Sequence, residues 1–260
     1  MGKRYSSRAP LRDEAAVREL LALMEEYNAP GRKELAAMVA QITGLERQLD
    51  EASRQIEAMR KELAEVREGP VKRTLIRAVR ALERGAALLG ERLDELKAAF
   101  VDGCRRTLAA VRERGISALA HTARFFRLGL SAERLGQQID RCTALVDRGL
   151  EGVASISRDY HETGRRLRSA GRVLLGREPD VEAKGPGRLA GAVSLPLKKE
   201  KEVLSAMRQG VERFSERLSL LEQAARPPIR QTMKQANRKL AQERQERPAP
   251  PWSMMGGRYS

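Results

Sequence analysis

The sequence is poor in aromatic residues and cysteines, and it has no long apolar stretch. Aromatic side chains make up only 3% of its 260 residues. That is too few for a typical β-sandwich or mixed α/β core, in which sheets are packed with aromatic and β-branched residues. Two cysteines, Cys104 and Cys142, cannot form a disulfide framework or a Cys₄ metal site. No apolar run approaches the ~20 residues of a membrane span, and no apolar signal-peptide region follows the basic N-terminus, so we expect a cytoplasmic protein.

Motifs of the common enzyme classes are missing as well. The sequence contains no P-loop, no Gly-x-Gly-x-x-Gly and no Gly-x-Ser-x-Gly pattern, which bind nucleotides or present a nucleophilic serine. Its two histidines, His121 and His161, lie far apart, and neither belongs to a His-Glu-x-x-His or Glu-x-x-His metal motif. A Cys–His pair is formally available, but both cysteines occupy apolar heptad-like positions, where a buried and inert thiol is usual. We predict no catalytic residues, no metal site and no cofactor, and therefore a protein that is not an enzyme.

The charge of the chain is strongly positive and unevenly distributed. It has 50 Lys and Arg against 35 Asp and Glu, a formal net charge of +15. Residues 71–130 contain 13 basic and 6 acidic side chains, and residues 181–260 contain 16 and 8. Such an excess suits an anionic partner, such as a nucleic acid or a membrane surface, but it carries no information about the fold.

Apolar residues recur every three or four positions over most of the chain, which is the pattern of long amphipathic helices. A short helix, which Asp13 would cap, is predicted to end near Tyr27. The strongest signal, an unbroken register at heptad spacing, then follows. Its apolar positions are Leu35, Met38, Ile42, Leu45, Leu49, Ala52, Ile56, Met59, Leu63 and Val66.

A second register, from Leu75 to Phe100, predicts an antiparallel helical hairpin with the first. Gly69-Pro70 separates the two registers, as a glycine that ends a helix and a proline that starts one. When the chain is folded back at this break, Ala52 lies opposite Ala86, so the helices either approach closely or leave room for a third. The alternative is a homodimeric coiled coil. Its parallel form would prefer leucine at the d positions, which here hold Met, Leu, Ala, Met and Val.

The rest of the chain is also predicted to be helical, which makes the protein elongated and all-α. We expect a short helix with Ile116, Leu119 and Phe126, and then a long helix that Ser131 would cap and that continues to Leu174. The proposed regions are a flexible basic tail over 1–12, the short helix and coiled-coil hairpin over 13–115, a helical region over 116–176, a Gly/Pro linker over 177–196, basic helices over 197–246 and a disordered tail over 247–260.

Two basic clusters are the candidate contacts for an anionic partner. One has Arg165, Arg168 and Arg172 at helical spacing, and the other repeats basic residues about every four positions. Each cluster has two interpretations, a solvated helix face or a set of contacts to phosphates of a nucleic acid or an anionic lipid. The candidate residues are Arg165, Arg166, Arg168, Arg172, Arg230, Lys234, Arg238 and Lys239.

Three runs of sequence carry a resemblance to a known family. They are Val-Arg-Glu-Leu-Leu-Ala-Leu-Met at 17–24, Gly-Arg-Arg-Leu-Arg-Ser-Ala-Gly-Arg at 164–172 and Pro-Pro-Ile-Arg-Gln-Thr-Met-Lys at 227–234. Together with the heptad helix, they resemble an uncharacterised helical family encoded on integrative and conjugative elements of Gram-positive bacteria. The resemblance implies a cytoplasmic accessory protein of a mobile element, and it transfers no functional residues.

These observations favour a non-enzymatic scaffold or adaptor protein that offers long helical surfaces to partner proteins, with a second copy of the same chain as one candidate partner. A first alternative is an accessory protein that binds nucleic acid without sequence specificity through its basic C-terminal region, with contacts to the DNA or RNA backbone. A second alternative is a peripheral protein that binds a membrane surface through a basic helix. No small-molecule substrate is expected.

Overall fold

A computed structural model describes residues 11–65, 70–174 and 188–224, and it contains five helices and no strand within these ranges. The expected all-α class is therefore confirmed. The helices are α1 (Ala15–Glu26), α2 (Arg32–Glu65), α3 (Pro70–Arg114), α4 (Gly129–Leu174) and α5 (Arg188–Ala224), with 3₁₀ segments at Leu11–Asp13 and Ile116–Phe125. Within the same ranges, no helix is both long enough and apolar enough to cross a membrane.

The four long helices form an antiparallel four-helix bundle. Helix α2 packs against α3 and α5, and α4 packs against the same two helices, so α2 and α4 lie on opposite corners. At about 1.5 Å per residue, α2 with 34 residues is roughly 50 Å long and α4 with 46 is roughly 70 Å. The described heptad residues of α2, α3 and α5, and those of α4 as far as Val153, point into one shared core, which explains why the apolar periodicity recurs in all four helices.

The predicted hairpin is compatible with this arrangement. Helices α2 and α3 are antiparallel neighbours, and Arg60 of α2 lies 3.6 Å from Glu83 of α3. Further along the pair, Lys97 of α3 donates a hydrogen bond to Glu46 of α2. Ala52 and Ala86 are both buried. In the bundle, α4 and α5 cover the hairpin, so its apolar seam is closed within one chain.

Close helix contacts occur where α3 meets α4 at glycines. A Cβ atom added to Gly85 of α3 would lie 2.7 Å from Sγ of Cys142, and one added to Gly149 of α4 would lie 3.3 Å from Cβ of Ala78. These distances are shorter than ordinary van der Waals contact. The glycines therefore allow α4, whose seam has small and polar residues, to approach α3 closely.

The first helix ends as the sequence predicts, although it begins differently. Asn28 has a left-handed backbone (φ 46°), and the N–H groups of Asn28 and Ala29 donate to carbonyls of the last turn of α1, in the manner of a Schellman motif. The prediction that Asp13 caps α1 is wrong. Asp13 belongs to a 3₁₀ segment, and Glu14 stands at the N-cap without a side-chain cap hydrogen bond.

The connection from α3 to α4 also differs in detail from the prediction. The expected short helix is a 3₁₀ segment whose first residue, Ile116, is 47% exposed. Phe126 follows this segment, and its ring packs against that of Phe100 in a tilted arrangement with a centroid distance of 5.2 Å. Ser131 does not cap α4, because the helix already begins at Gly129.

Helix α5 begins at Arg188 and continues through Pro196, inside the stretch for which a linker was predicted. The linker is therefore shorter than expected at its C-terminal end. Leu197, Leu204 and the later heptad residues of α5 are buried in the bundle core. The N-terminal tail predicted over residues 1–12 is wrong for its last two residues, because Leu11 and Arg12 belong to a 3₁₀ segment and Leu11 is fully buried. Residues 1–10, the linker over 177–187 and the chain after residue 224 lie outside the described residues.

Candidate functional site

One layer of the bundle interior is polar. Glu200 of α5 is only 1% exposed, and it lies close enough to Glu51 of α2 and Cys142 of α4 for its charge to interact with theirs. Gly85 of α3 faces the Cys142 thiol, so all four long helices contribute to this layer. We call Glu51, Gln55, Cys142 and Glu200 the polar layer.

Hydrogen bonding in the polar layer is incomplete. Gln55 donates to Oε1 of Glu51 at 3.0 Å, and Gln138 donates to Sγ of Cys142 at 3.9 Å. By contrast, Oε2 of Glu200 and Oε1 of Gln55 are buried without a hydrogen-bond partner among the described residues. A buried carboxylate without partners is costly, so this environment favours the neutral acid.

Burial and the nearby negative charge of Glu51 raise the pKa of Glu200 to about 8. Glu200 is therefore mostly protonated at neutral pH. Burial also raises the pKa of Cys142 to about 11 and that of Cys104 to about 12, so both remain thiols, which are poor nucleophiles. Within the described ranges, no group of three His, Cys, Asp or Glu side chains is arranged to hold a metal ion. The chemistry available to the polar layer is proton uptake and release.

One end of the bundle is rich in basic residues. We call the basic end the region formed by the last turns of α2, the first turns of α3 and the second half of α4. Residues 70–84 contain five Lys or Arg and one Glu, and residues 158–174 contain five Arg and two acidic residues. Thr74 of α3 meets Gly152 of α4, so the part of α4 after residue 152 extends past the start of α3.

A groove of about 270 Å³ lies between α2 and α3 at the basic end. Arg60, Lys72 and Arg80 contribute its positive charge and Glu83 its negative charge, with apolar side chains between them. The Arg60–Glu83 ion pair bridges the two helices here. Arg80 also lines the groove and forms no ion pair within the described ranges.

A stripe of four arginines runs along the outer face of α3 at the basic end. Arg73, Arg77, Arg80 and Arg84 follow one another at spacings of four, three and four residues, and all four are exposed. None of them forms an ion pair within the described part of the chain. We call these residues the arginine stripe. The arginine stripe was not predicted from the sequence, although its helical spacing is visible there.

The residues predicted from the sequence are only partly placed. Arg165, Arg166, Arg168 and Arg172 all belong to α4, at the basic end that also contains the arginine stripe. The second predicted cluster, from Arg230 to Lys239, lies outside the described residues, so it remains a prediction.

The opposite end of the bundle has an acidic helix and exposed apolar side chains. Helix α1 lies there with three glutamates and one arginine. Four of the large apolar side chains that are exposed in the described ranges belong to segments at this end: Tyr27, Ile116, Leu130 and Leu220. We call this region the α1 end.

Comparison with known proteins gives one match. A family of unknown function, DUF6674, matches residues 13–252, which is most of the chain. No curated protein and no solved structure matches the chain.

Proposed function

We propose that this chain, which belongs to the DUF6674 family of unknown function, is a non-enzymatic scaffold or adaptor protein. In this proposal it acts in the cytoplasm as an accessory factor of a mobile genetic element. Its partners are other proteins, bound to the outside of the four-helix bundle at the α1 end.

The observation that carries the proposal is the exposure of large apolar side chains at the α1 end. Leu130 is 69% exposed at the start of α4, and Tyr27, Ile116 and Leu220 belong to neighbouring segments. Exposed apolar side chains that share one region of a surface are typical of contacts between proteins. The heptad residues of the described core, which in α4 extends to Val153, are already buried against one another, so they are not available for a partner helix.

Site-specific photo-crosslinking in the native host tests the proposal. A photoreactive phenylalanine analogue replaces Leu130 at the α1 end, and in a matched chain it replaces Arg84, which is exposed on α3 at the basic end. We expect a discrete crosslinked protein, or a crosslinked dimer of this chain, from position 130 that is absent from position 84.

Substitution of the apolar residues completes the test. Ile116→Gln with Leu130→Gln should abolish the adduct formed from an analogue at Tyr27, without lowering the thermal stability, because both side chains are exposed. The same adducts from positions 84 and 130, or no adduct from position 130, would refute a protein-binding role of the α1 end.

A further inference from the structure

We infer that the arginine stripe on α3 binds the phosphate backbone of a nucleic-acid duplex without reading its sequence. This inference does not depend on the adaptor proposal, since it concerns the opposite end of the bundle and a different class of partner. It also differs from the alternative of nucleic-acid binding through the basic C-terminal region, because all of its contacts lie on α3.

The stripe has the geometry of a straight row of charges. Its four residues occupy one face of α3, and the buried residues Leu75, Val79 and Leu82 occupy the other. From Arg73 to Arg84 the row extends about 16 Å along the helix, at ~1.5 Å per residue. One strand of a duplex places a phosphate about every 3.4 Å along its axis, so the row spans roughly five phosphates.

The arginines of the stripe are free to bind an anion. Nε of Arg77 donates to the carbonyl of Arg73 at 3.5 Å, and Nε of Arg84 donates to that of Arg80 at 3.3 Å. These hydrogen bonds hold two side chains along the helix and leave their terminal N–H groups unused. Guanidinium groups bind phosphate oxygens in pairs of hydrogen bonds.

Near the other end of the same helix, two arginines are neutralised by ion pairs. Arg106 lies 3.0 Å from Asp102, and Arg112 lies 3.2 Å from Glu19 of α1. After Arg84, the outward face of α3 continues with Leu88 and Glu91. Arg105 and Arg114 near that other end form no ion pair within the described ranges, but they lie on opposite sides of the helix. A continuous row of unpaired arginines is therefore found in the first turns of α3.

The partner that fits is a duplex rather than a single strand or a membrane. Proteins that bind single strands stack bases on aromatic side chains, whereas the one aromatic residue of α3 is Phe100, which is fully buried. Helices that bind membranes insert an apolar face into the lipid, whereas the apolar face of α3 is already packed in the bundle. A row of arginines on one helix face can contact phosphates of a duplex without reading its bases.

Fluorescence anisotropy with a labelled DNA duplex several turns long tests the inference on the full chain. The stripe variant carries Arg→Gln at 73, 77, 80 and 84. The control variant carries Arg→Gln at 105, 106, 112 and 114 of the same helix, all of which are exposed. Both variants lose the same charge, so any difference between them reports the position of the charge.

We expect the stripe variant to bind the duplex at least tenfold more weakly than the control variant at low salt. Each phosphate contact contributes about 0.9 to the slope of log K against log salt. With four contacts, the affinity of the unmodified chain should fall on the order of 100-fold more than that of the stripe variant between about 50 and 200 mM salt. A chain with only Arg77→Gln and Arg84→Gln should show about half of this change in the slope of log K against log salt. This milder variant keeps the inference testable if the fourfold variant does not fold.

Three results would overturn the inference. The first is that the unmodified chain does not bind the duplex at low salt. The second is equal weakening in the stripe and control variants, which would mean that only net charge matters. The third is binding to vesicles of phosphatidylcholine and phosphatidylserine without binding to the duplex, which would assign the stripe to an anionic membrane.

Discussion

Replacing Glu200 by glutamine should stabilise the protein, and the gain should grow with pH. Glutamine has nearly the same shape as glutamate but is always neutral. In the folded chain the pKa of Glu200 is about 8, against an ordinary value of 4.5. Between these two values, the folded protein keeps a proton that the unfolded chain has released.

The sign of the effect follows from this difference in bound protons. Since the folded state binds more protons, the free energy of unfolding falls as pH rises, by about 1.4 kcal/mol per unit. This contribution to stability is fully present below about pH 4.5 and is lost by about pH 8. For a shift of this size the total loss is on the order of 5 kcal/mol above pH 8, and about 3 kcal/mol at pH 7. Glu200→Gln avoids that loss.

Urea unfolding followed by far-UV circular dichroism, from about pH 5 to about pH 9.5, measures the effect. The difference between Glu200→Gln and the unmodified chain isolates Glu200, because all other titrating groups are common to both. We expect a difference that rises steadily and levels off above about pH 8.

Glu202→Gln is the matched control, because Glu202 is exposed on the same helix. It should leave stability nearly unchanged at every pH. A difference for Glu200→Gln that stays constant from pH 5 to pH 9.5, or that has the opposite sign, would refute the reasoning that the bundle holds a neutral carboxyl group.

Three further predictions concern packing and buried groups. Gly85→Ala should destabilise the chain by about 1–3 kcal/mol, because its Cβ would lie 2.7 Å from Sγ of Cys142. In a Cys142→Ala background the same substitution should stabilise the chain, because alanine has a higher helix propensity than glycine. Equal effects in both backgrounds, measured by urea unfolding, would contradict this contact. Burial raises the pKa values of Cys104 and Cys142 to about 12 and about 11. Both thiols should therefore react with iodoacetamide only after denaturation. Prompt labelling of the native protein, detected by mass spectrometry, would disprove their burial. Lys97→Met should lower the free energy of unfolding by about 1–3 kcal/mol, because it leaves the largely buried carboxylate of Glu46 without its partner. Adding Glu46→Met to this variant should recover most of that loss in a thermal unfolding experiment.

The heptad pattern was sufficient to predict where the long helices lie. The apolar positions from Leu35 to Leu63 and from Leu75 to Phe100 are all buried, and the break at Pro70 begins α3. Helix ends were harder to predict from sequence. Ser131 and Asp13 are good capping residues by type, but the helices begin two residues before and two residues after them. Residue type alone does not fix a helix end to within one or two residues.

The basic end could be predicted only in part. The sequence places Arg165 and Arg168 on one helix, and it also contains the regular spacing from Arg73 to Arg84. It does not show that the arginines of the stripe lack acidic partners, whereas Arg112 has Glu19 across the helix interface. Ion pairs between residues far apart in the chain depend on which helices become neighbours.

The sequence by itself determined the all-α class, the positions of the helices and the faces that they bury, because apolar side chains at spacings of three and four must be removed from water together. The tertiary structure alone decided that four helices close around a single core and that Glu200 lies inside it. On α5, Glu200 resembles any other glutamate of an amphipathic helix until α2 and α4 cover it. Its neutrality follows from the loss of water around the carboxyl group, and only the packing of the other helices removes that water.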